Sequence, residues 1–342
     1  MFEPKYTISP QLLRNIKRIS VLVAELNHQS LTKVVLLDWE KKAREISAHA
    51  STSIEGNPLP LTDVKEILKH RPEFIRDSER EVLNYNQALV ELNTLVKESI
   101  VHFNLSLILK IQKNVTQDLL SAHRVGALRQ EPVFVNDPRL QKTIYWPPDH
   151  QDVSELMEQL FDFVECNKSI LDPLILAGIF HKQFVVIHPF IDGNGRTVRL
   201  ATKVLLAGMG LNTFNLFSFE NYYNQNVTKY FFTVGVQGNY YDIKNEIDFT
   251  SWLEYFTDGI IDELLRVGAG LKKATISPVE LLQLHHEKIL EHITEHGYIT
   301  DRLYSQLTDR AKATRNLDFN KLIALGKIVR VGKGRATMYK NK

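Results

Sequence analysis

Cys166 is the one cysteine in 342 residues, so no disulfide can close within the chain and a disulfide-stapled secreted scaffold is excluded. No apolar run approaches the roughly eighteen residues that a membrane-spanning helix needs, which excludes a helical membrane protein. The opening Met1-Phe2-Glu3-Pro4-Lys5 starts no signal peptide, and the expected compartment is the cytoplasm. Neither an internal repeat nor a low-complexity tract is present, so a solenoid is excluded. Gly332-Lys333-Gly334 lacks the longer glycine spacing and the final Lys-Ser/Thr of a phosphate loop, so ATP chemistry of that type is excluded too.

What the chain does have is ordinary globular composition, 44% hydrophobic and 24% charged with a net charge of +2, and a length that suits two or three domains. The charge is unevenly spread. Residues 301–342 hold eleven Lys or Arg against three Asp, a net +8, which leaves −6 for everything before them. A boundary is expected near 274–278, where Ser277-Pro278 reads as a cap followed by the first helical residue. Beyond it the pattern predicts helix over 279–296, a short strand over 298–300, helices over 301–307 and 311–325, and two strands over 327–331 and 336–340. This order resembles a winged helix, with 311–325 in the recognition position and Gly332-Lys333-Gly334-Arg335 as the wing. Basic residues on both elements suit phosphate contacts on duplex DNA, and protein interaction or dimerisation is the alternative use. His292 and His296 have metal-ligand spacing on the first of these helices, but no third ligand is visible in the sequence, so zinc is not expected there.

The densest chemistry lies in His188-Pro189-Phe190-Ile191-Asp192-Gly193-Asn194-Gly195-Arg196-Thr197-Val198-Arg199. An apolar run over 184–187 places His188 where a buried helix gives way to a loop, and Arg196 onward reads as a new helix. Gly193 and Gly195 can take positive φ, which lets successive N–H groups turn toward one point and cradle an anion at the helix N-terminus. Arg196 and Arg199 are three apart and share a helical face. Asp192 beside such a nest suits Mg²⁺, a hard cation that takes a carboxylate plus phosphate oxygens and water. His188, with an ordinary pKa of about 6.5, can act as a general base on a hydroxyl nucleophile. A simple capping loop would not require all of these features together.

These twelve residues resemble, without mismatch, the signature of the Fic family, His-Pro-Phe-x-(Asp/Glu)-Gly-Asn-Gly-Arg-x-x-Arg. The resemblance implies a mainly α fold, a helical core with a small β-hairpin flap, and transfer of AMP from ATP to a protein hydroxyl with release of pyrophosphate. It implies that His188 deprotonates the target side chain and that Asp192 holds Mg²⁺ against the phosphates. Gly193, Asn194 and Gly195 would cradle phosphate, and Arg196 and Arg199 would bind the β- and γ-phosphates. The Doc subfamily, which transfers phosphate, lacks the Gly-Asn-Gly pattern retained here.

Ser51-Thr52-Ser53-Ile54-Glu55-Gly56-Asn57-Pro58 ends a predicted helix over about 38–56, with Gly56 and Pro58 as the stop. Ser51 and Glu55 are four apart on one face. A carboxylate at a helix C-terminus is disfavoured unless a cation compensates it. The segment resembles the family's inhibitory motif, (Ser/Thr)-x-x-x-Glu-(Gly/Asn), which implies that Glu55 pairs with Arg199 and holds the enzyme off. Residues 131–146 read as a β-hairpin. In the family such a hairpin is a flap that aligns the target peptide, and Val135 and Asn136 become candidates at the nucleotide. Asp137-Pro138-Arg139 departs from the commoner glycine-rich tip. Residues 221–226 and 229–232 read as one aromatic-rich helix in which Tyr230 and Phe231 are candidates for the adenine pocket, and 252–265 reads as packing.

The resulting expectation is an N-terminal helical region over 1–95 carrying the inhibitory helix, a catalytic core over 96–272, and a winged-helix-like domain over 277–342. The function expected is that of an autoinhibited adenylyltransferase acting on Ser, Thr or Tyr of a target protein, with ATP and Mg²⁺ and with a homodimer as one form. Two alternatives stay open: a nucleotide-sensing regulator that binds DNA, and removal of AMP at the same site.

Overall fold

The computed structural model describes residues 2–28, 33–98, 101–137, 142–208, 218–276 and 284–342. It forms two compact units, one from the described residues of 1–28 and 42–267 and the other from those of 29–41 and 268–342. The chain is mainly α. In order it runs α1 (Pro10–Asn27), α2 (Lys33–Ile54), α3 (Leu61–Lys69), α4 (Asp77–Glu98), α5 (Leu105–Thr116), β1 (Val135–Asp137), β2 (Lys142–Trp146), α6 (Val153–Asn167), α7 (Pro173–Ile187) and α8 (Asn194–Gly208). There follow α9 (Glu220–Gln225), α10 (Val227–Val234), β3 (Gly238–Asn239), α11 (Tyr240–Ile243) and α12 (Thr250–Ile276). The rest is α13 (Leu284–His296), α14 (Asp301–Leu307), α15 (Lys312–Ala324), β4 (Ile328–Val331) and β5 (Met338–Asn341).

Helix α7 is the centre of the larger unit. Asp172 caps it by accepting from Leu174 N at 2.8 Å, and Pro173 fills its first turn, where no N–H partner is lost. Nearly all of its residues are buried, His181, Lys182 and Gln183 among them, and α5, α6 and α8 provide its cover directly or through one another. Trp252 of α12 is fully buried and donates to the Gly178 carbonyl at 2.8 Å. A Cβ at Gly178 would lie 2.5 Å from Leu253, so the close approach of α7 and α12 requires glycine there. Trp252, Leu253, Phe256, Ile260 and Leu264 are all buried, in agreement with 252–265 as packing.

The hairpin over 131–146 is present as antiparallel β1 and β2, paired Val135 with Tyr145 and Asn136 with Thr143, with an irregularity between Val135 and Asn136. The structure adds β3, parallel to β2 through Tyr145 and Gly238. Pro138 and Arg139, at the expected tip, lie outside the described residues. One expected element is corrected: the single aromatic helix over 221–232 is two helices, α9 and α10. Asn226 leaves helical geometry at φ −146° and ψ 74°, and its side chain caps α10 by accepting from Lys229 N.

The C-terminal elements follow the predicted order, with Ile299 forming an isolated bridge to Tyr339 and β4 pairing antiparallel to β5. Ile289, Ile293, Phe319, Leu322 and Tyr339 make their own core, where Phe319 and Tyr339 stack at 3.9 Å. The start of the helix predicted over 279–296 falls partly outside the described residues.

Candidate active site

His188 ends α7 in the left-handed region, φ 52° and ψ 60°, with its N–H donating to Phe184 O at 3.0 Å. A non-glycine residue there is strained by roughly 1–3 kcal/mol and persists only where its surroundings fix it. Arg129 does the fixing. Its buried guanidinium donates from Nε to His188 O at 2.8 Å and from Nη2 to Pro148 O, and its backbone N–H donates to Pro189 O at 3.0 Å. The His188 ring is half-buried, and its Nδ1 lies 3.4 Å from the Val185 carbonyl, which can only accept. The proton therefore sits on Nδ1, and the Nε2 lone pair is the basic one. Burial pushes the ring down to about 4, with Arg129 adding to that effect and the Val185 carbonyl opposing it.

The loop after His188 is tied at three points. Asn194 donates to Phe190 O at 2.8 Å and accepts from Phe190 N at 3.0 Å, so its side chain clasps the loop's own backbone. Gln112 of α5, fully buried, donates to Asp192 O at 3.2 Å and accepts from Gly126 N at 2.5 Å. Gly193 has φ 83°, and a Cβ there would meet Thr116 at 2.8 Å. Helix α8 starts immediately after, so its first N–H groups, which lack intrahelical acceptors, are presented at the loop.

The two signature arginines point into different pairs. Arg196 is 2% exposed and donates to Asp192 Oδ2 and to Glu81 Oε1 of α4, both at 2.8 Å. Glu81 is in turn held by Asn57 Nδ2 at 2.7 Å, in the turn that follows α2. Asp192 remains half-exposed, and its Oδ1 accepts from Gly193 N at 2.6 Å. Arg199 is fully buried and donates to Ser51 Oγ at 2.8 Å, Ser51 O at 2.8 Å and Glu55 Oε1 at 2.7 Å. Burial works against its charge, but Glu55 and the facing tyrosines outweigh that and hold its pKa above the ordinary value. A Cβ built on Gly195 would overlap Glu55 Oε1, so the carboxylate lies directly over the first turn of α8. This is where an anion gains most from the helix dipole.

The contact between α2 and α8 continues one turn further. Ser47, Ser51 and Glu55 recur every four residues and face Arg199 and Lys203, also four apart. Ser47 Oγ accepts from Lys203 Nζ at 2.6 Å and donates to Glu220 Oε1 at 3.0 Å. Lys203 and Glu220 form a buried ion pair at 2.8 Å, and the Tyr85 hydroxyl donates to the same carboxylate at 2.6 Å. Burial alone would raise the Glu220 pKa, but Lys203 and Tyr85 hold it below the ordinary carboxylate value.

The structure therefore brings His188, Asp192, Gly193, Asn194, Gly195, Arg196, Arg199, Ser51 and Glu55 together. The remaining candidates divide. Tyr230 is buried beneath Arg199, its hydroxyl 3.4 Å from Nη1 and 3.2 Å from His181 Nε2, while its neighbour Phe231 is 47% exposed. Val135 and Asn136 lie in β1, and Asn136 Oδ1 accepts from Thr143 at 2.8 Å. The Tyr145 hydroxyl donates to Val186 O at 2.7 Å, which anchors the small sheet at the end of α7. Sequence reasoning missed Ser47, Glu81, Gln112, Arg129, Lys203 and Glu220. The fourfold spacing of Ser47 from Ser51 was a usable signal, but Glu81 carries none. A cavity of about 520 Å³ lined by Phe2, Pro4, Phe163, Cys166 and Leu171 shares no residue with this site.

Residues 102–206 match the model of the Fic/DOC family. Among curated proteins, the chain is similar to protein adenylyltransferase Fic of Nematostella vectensis, 29% identical over 171 residues, covering 47% of this chain and 36% of that one. The protein of the same name from Drosophila willistoni is 30% identical over 178 residues, covering 50% and 33%. The chain thus spans about a third of the length of these relatives. A Fic family protein from Desulfovibrio desulfuricans G20 shares the fold with a TM-score of 0.66 at 20% identity, covering 100% of this chain and 98% of that one. Fic-1 (aa134–508) from C. elegans does so with a TM-score of 0.60 at 21% identity, covering 77% and 73%. With its signature loop, its α7 and α8 scaffold and these matches, the chain carries a Fic domain within residues 102–206 and is built in the fold of Fic proteins.

Proposed function

We propose that this chain is an adenylyltransferase that moves AMP from ATP to a Ser, Thr or Tyr hydroxyl of a target protein, and that its own N-terminal helix holds it off. The observation that carries the reading is the Glu55 carboxylate on Arg199 over the first turn of α8, an anion lodged where a phosphate would bind. In the active state Arg199 and Arg196 take the terminal phosphates of ATP, and the N–H groups of 193–195 hold the phosphate nearer the reaction. The target oxygen attacks the α-phosphorus, the bond from that phosphorus to the bridging oxygen breaks, and pyrophosphate leaves. The hydroxyl proton goes to His188 Nε2, whose partner Nδ1 faces the Val185 carbonyl.

Asp192 fits Mg²⁺, since a half-exposed carboxylate at a phosphate nest is the oxygen donor such an ion takes alongside phosphates and water. When bound there, the ion would offset phosphate charge. Asp192 is already oriented by Gly193 N and Arg196. Glu81 and Asn57 keep Arg196 aimed at the site, and Arg129 keeps His188 in its left-handed turn. We place the flap strand β1, with Val135 and Asn136, beside target peptide and nucleotide, and Tyr230 under the nucleotide's arginine.

We read 1–95 as the regulatory helical region, 96–272 as the catalytic core and 277–342 as a winged-helix-like domain, in a cytoplasmic protein able to pair with a second copy. A second reading, output on DNA, is favoured by the exposure of Lys312, Lys327, Arg330, Lys333 and Lys340 in that last domain. Removal of AMP would use Glu55 to orient water. The test is gel-resolved label transfer with Mg²⁺ and α- or γ-labelled ATP for wild type, Glu55→Gly and Glu55→Gly/His188→Ala. Label from the α-position, present in Glu55→Gly and lost in the double variant, is expected. Label from the γ-position would overturn AMP transfer, and equal label in wild type and Glu55→Gly would overturn autoinhibition.

A further inference from the structure

The sequence offers four histidines on α13 and no third ligand for any pair of them. The structure supplies one, and for a different pair from the one spaced i,i+4. Asp318 of α15 places Oδ1 3.1 Å from His285 Nε2 and 3.5 Å from His286 Nε2. The three ligand atoms all lie within 4.8 Å of one another, a clustering found at no other His, Cys, Asp or Glu group among the described residues. We propose that His285, His286 and Asp318 bind a borderline divalent transition metal of the Zn²⁺ or Co²⁺ type, which clips α13 to α15.

Three observations favour a metal over simple hydrogen bonding. First, the spacing fits: four ligands about 2.0–2.1 Å from Zn²⁺ in a tetrahedron are about 3.3 Å apart, and the two nitrogen-to-oxygen edges here bracket that length. Second, His285 Nε2 is buried and close to Oδ1, yet aligned with no hydrogen-bond acceptor or donor. A ring nitrogen this close to a carboxylate oxygen but not pointed along the line to it is the arrangement of two ligands converging on a shared ion. Third, the carboxylate is braced from behind. Its Oδ2 accepts from the Tyr304 hydroxyl at 2.8 Å and from Arg310 Nε at 2.9 Å, which fills that oxygen and turns Oδ1 toward the imidazoles.

Arg310 Nη2 also reaches Oδ1 at 3.2 Å, which takes one of its two lone pairs and leaves the other for the ion. That positive neighbour lowers affinity below that of an all-protein structural zinc site. Two imidazoles exclude Mg²⁺ and Ca²⁺ as the natural occupants, since those prefer oxygen throughout. Water completes the shell. The site belongs to the C-terminal unit and does not depend on the catalytic reading.

The full-length chain titrated with Co²⁺, without ATP or Mg²⁺, is expected to bind one equivalent with a Kd of about 10 µM or tighter and to show the intense visible band of four-coordinate cobalt. Zn²⁺ should displace it and raise the thermal midpoint. His285→Gln/His286→Gln should weaken binding at least 50-fold and remove the band, while His292→Gln/His296→Gln and Asp192→Ala leave it intact. His285→Gln alone, at a partly exposed position, gives the same reading if the double variant folds poorly. Two results would overturn the site: no four-coordinate band in the wild type, or a band that survives loss of His285 and disappears with His292 and His296.

Discussion

Arginines serve the two ends of this molecule in opposite ways. In the Fic domain Arg196 and Arg199 are buried and hold carboxylates brought from more than a hundred residues away, Glu81 and Glu55. In the C-terminal unit Arg310 and Arg315 pair with near neighbours, Asp318 and Asp301, while Lys312, Lys327, Lys333 and Lys340 stay exposed. The first arrangement packs cationic donors beneath carboxylates from distant helices, which under the proposed function a phosphate would replace at Arg199. The second uses arginine to hold helices together and leaves lysine to set the surface field. A count of basic residues therefore misleads at both ends: the signature arginines are hidden in a segment of net negative charge, and two of the eleven basic residues of the tail are held in ion pairs of its own.

The comparison can be broken most strongly at the chemistry. In a Glu55→Gly background, His188→Ala should lower AMP transfer by about 10²–10⁴-fold, the usual contribution of a general base, as read by α-label retained on protein. Next, Glu55→Gly alone should raise transfer by about tenfold or more, since a hydrogen bond to a charged partner contributes about 1.5–3 kcal/mol. If Arg196 and Arg199 differ as described, Glu81→Ala should not activate the enzyme. It should cost about 1–3 kcal/mol in a denaturant titration and raise the KM for ATP while sparing kcat, because Glu81 aims Arg196 and does not block it.

At the tail the effects should be smaller and separable. Arg315→Ala should measurably lower the denaturation midpoint of the C-terminal unit, whereas Lys333→Glu should stay within about 0.5 kcal/mol and lower only the low-salt retention on duplex DNA. A pH series sharpens the His188 assignment. Its pKa is depressed in the folded state, so the unfolded chain binds more protons between about pH 6.5 and 4, and the stability it permits is present above that window. The denaturation midpoint should fall as pH drops through it, less steeply in His188→Ala. The kcat/KM of Glu55→Gly should be flat above about pH 6 on its acid limb.

Much of the Fic domain was legible because its chemistry is contiguous. Residues 188–199 form one loop and one helix start, and Ser51 with Glu55 lie one turn apart, so spacing alone put each group on a shared face. Glu81 and Arg129 were not legible. A single charged residue in an amphipathic helix such as α4, or ahead of a hairpin, looks solvent-facing until a distant partner is known. The break between α9 and α10 was missed because Asn226 sits inside an aromatic pattern that keeps helical spacing on both sides, and its capping hydrogen bond outcompetes the helix locally. Likewise Asp318 could not be joined to His285, because only tertiary packing of α13 on α15 makes them neighbours.

Over residues 43–54 of α2 the buried positions are small residues, Ala43, Ser47, Ala48, Ala50, Ser51 and Thr52, with Ile54 the one large member among them. Removing such a face from its bed would uncover short methyl and hydroxyl groups in place of a broad greasy patch. On the proposed autoinhibition, a segment released from that contact would itself present little apolar side chain to water. In that reading the choice between the two states would rest on the polar contacts of Ser51 and Glu55 with Arg199, which a nucleotide phosphate would have to replace.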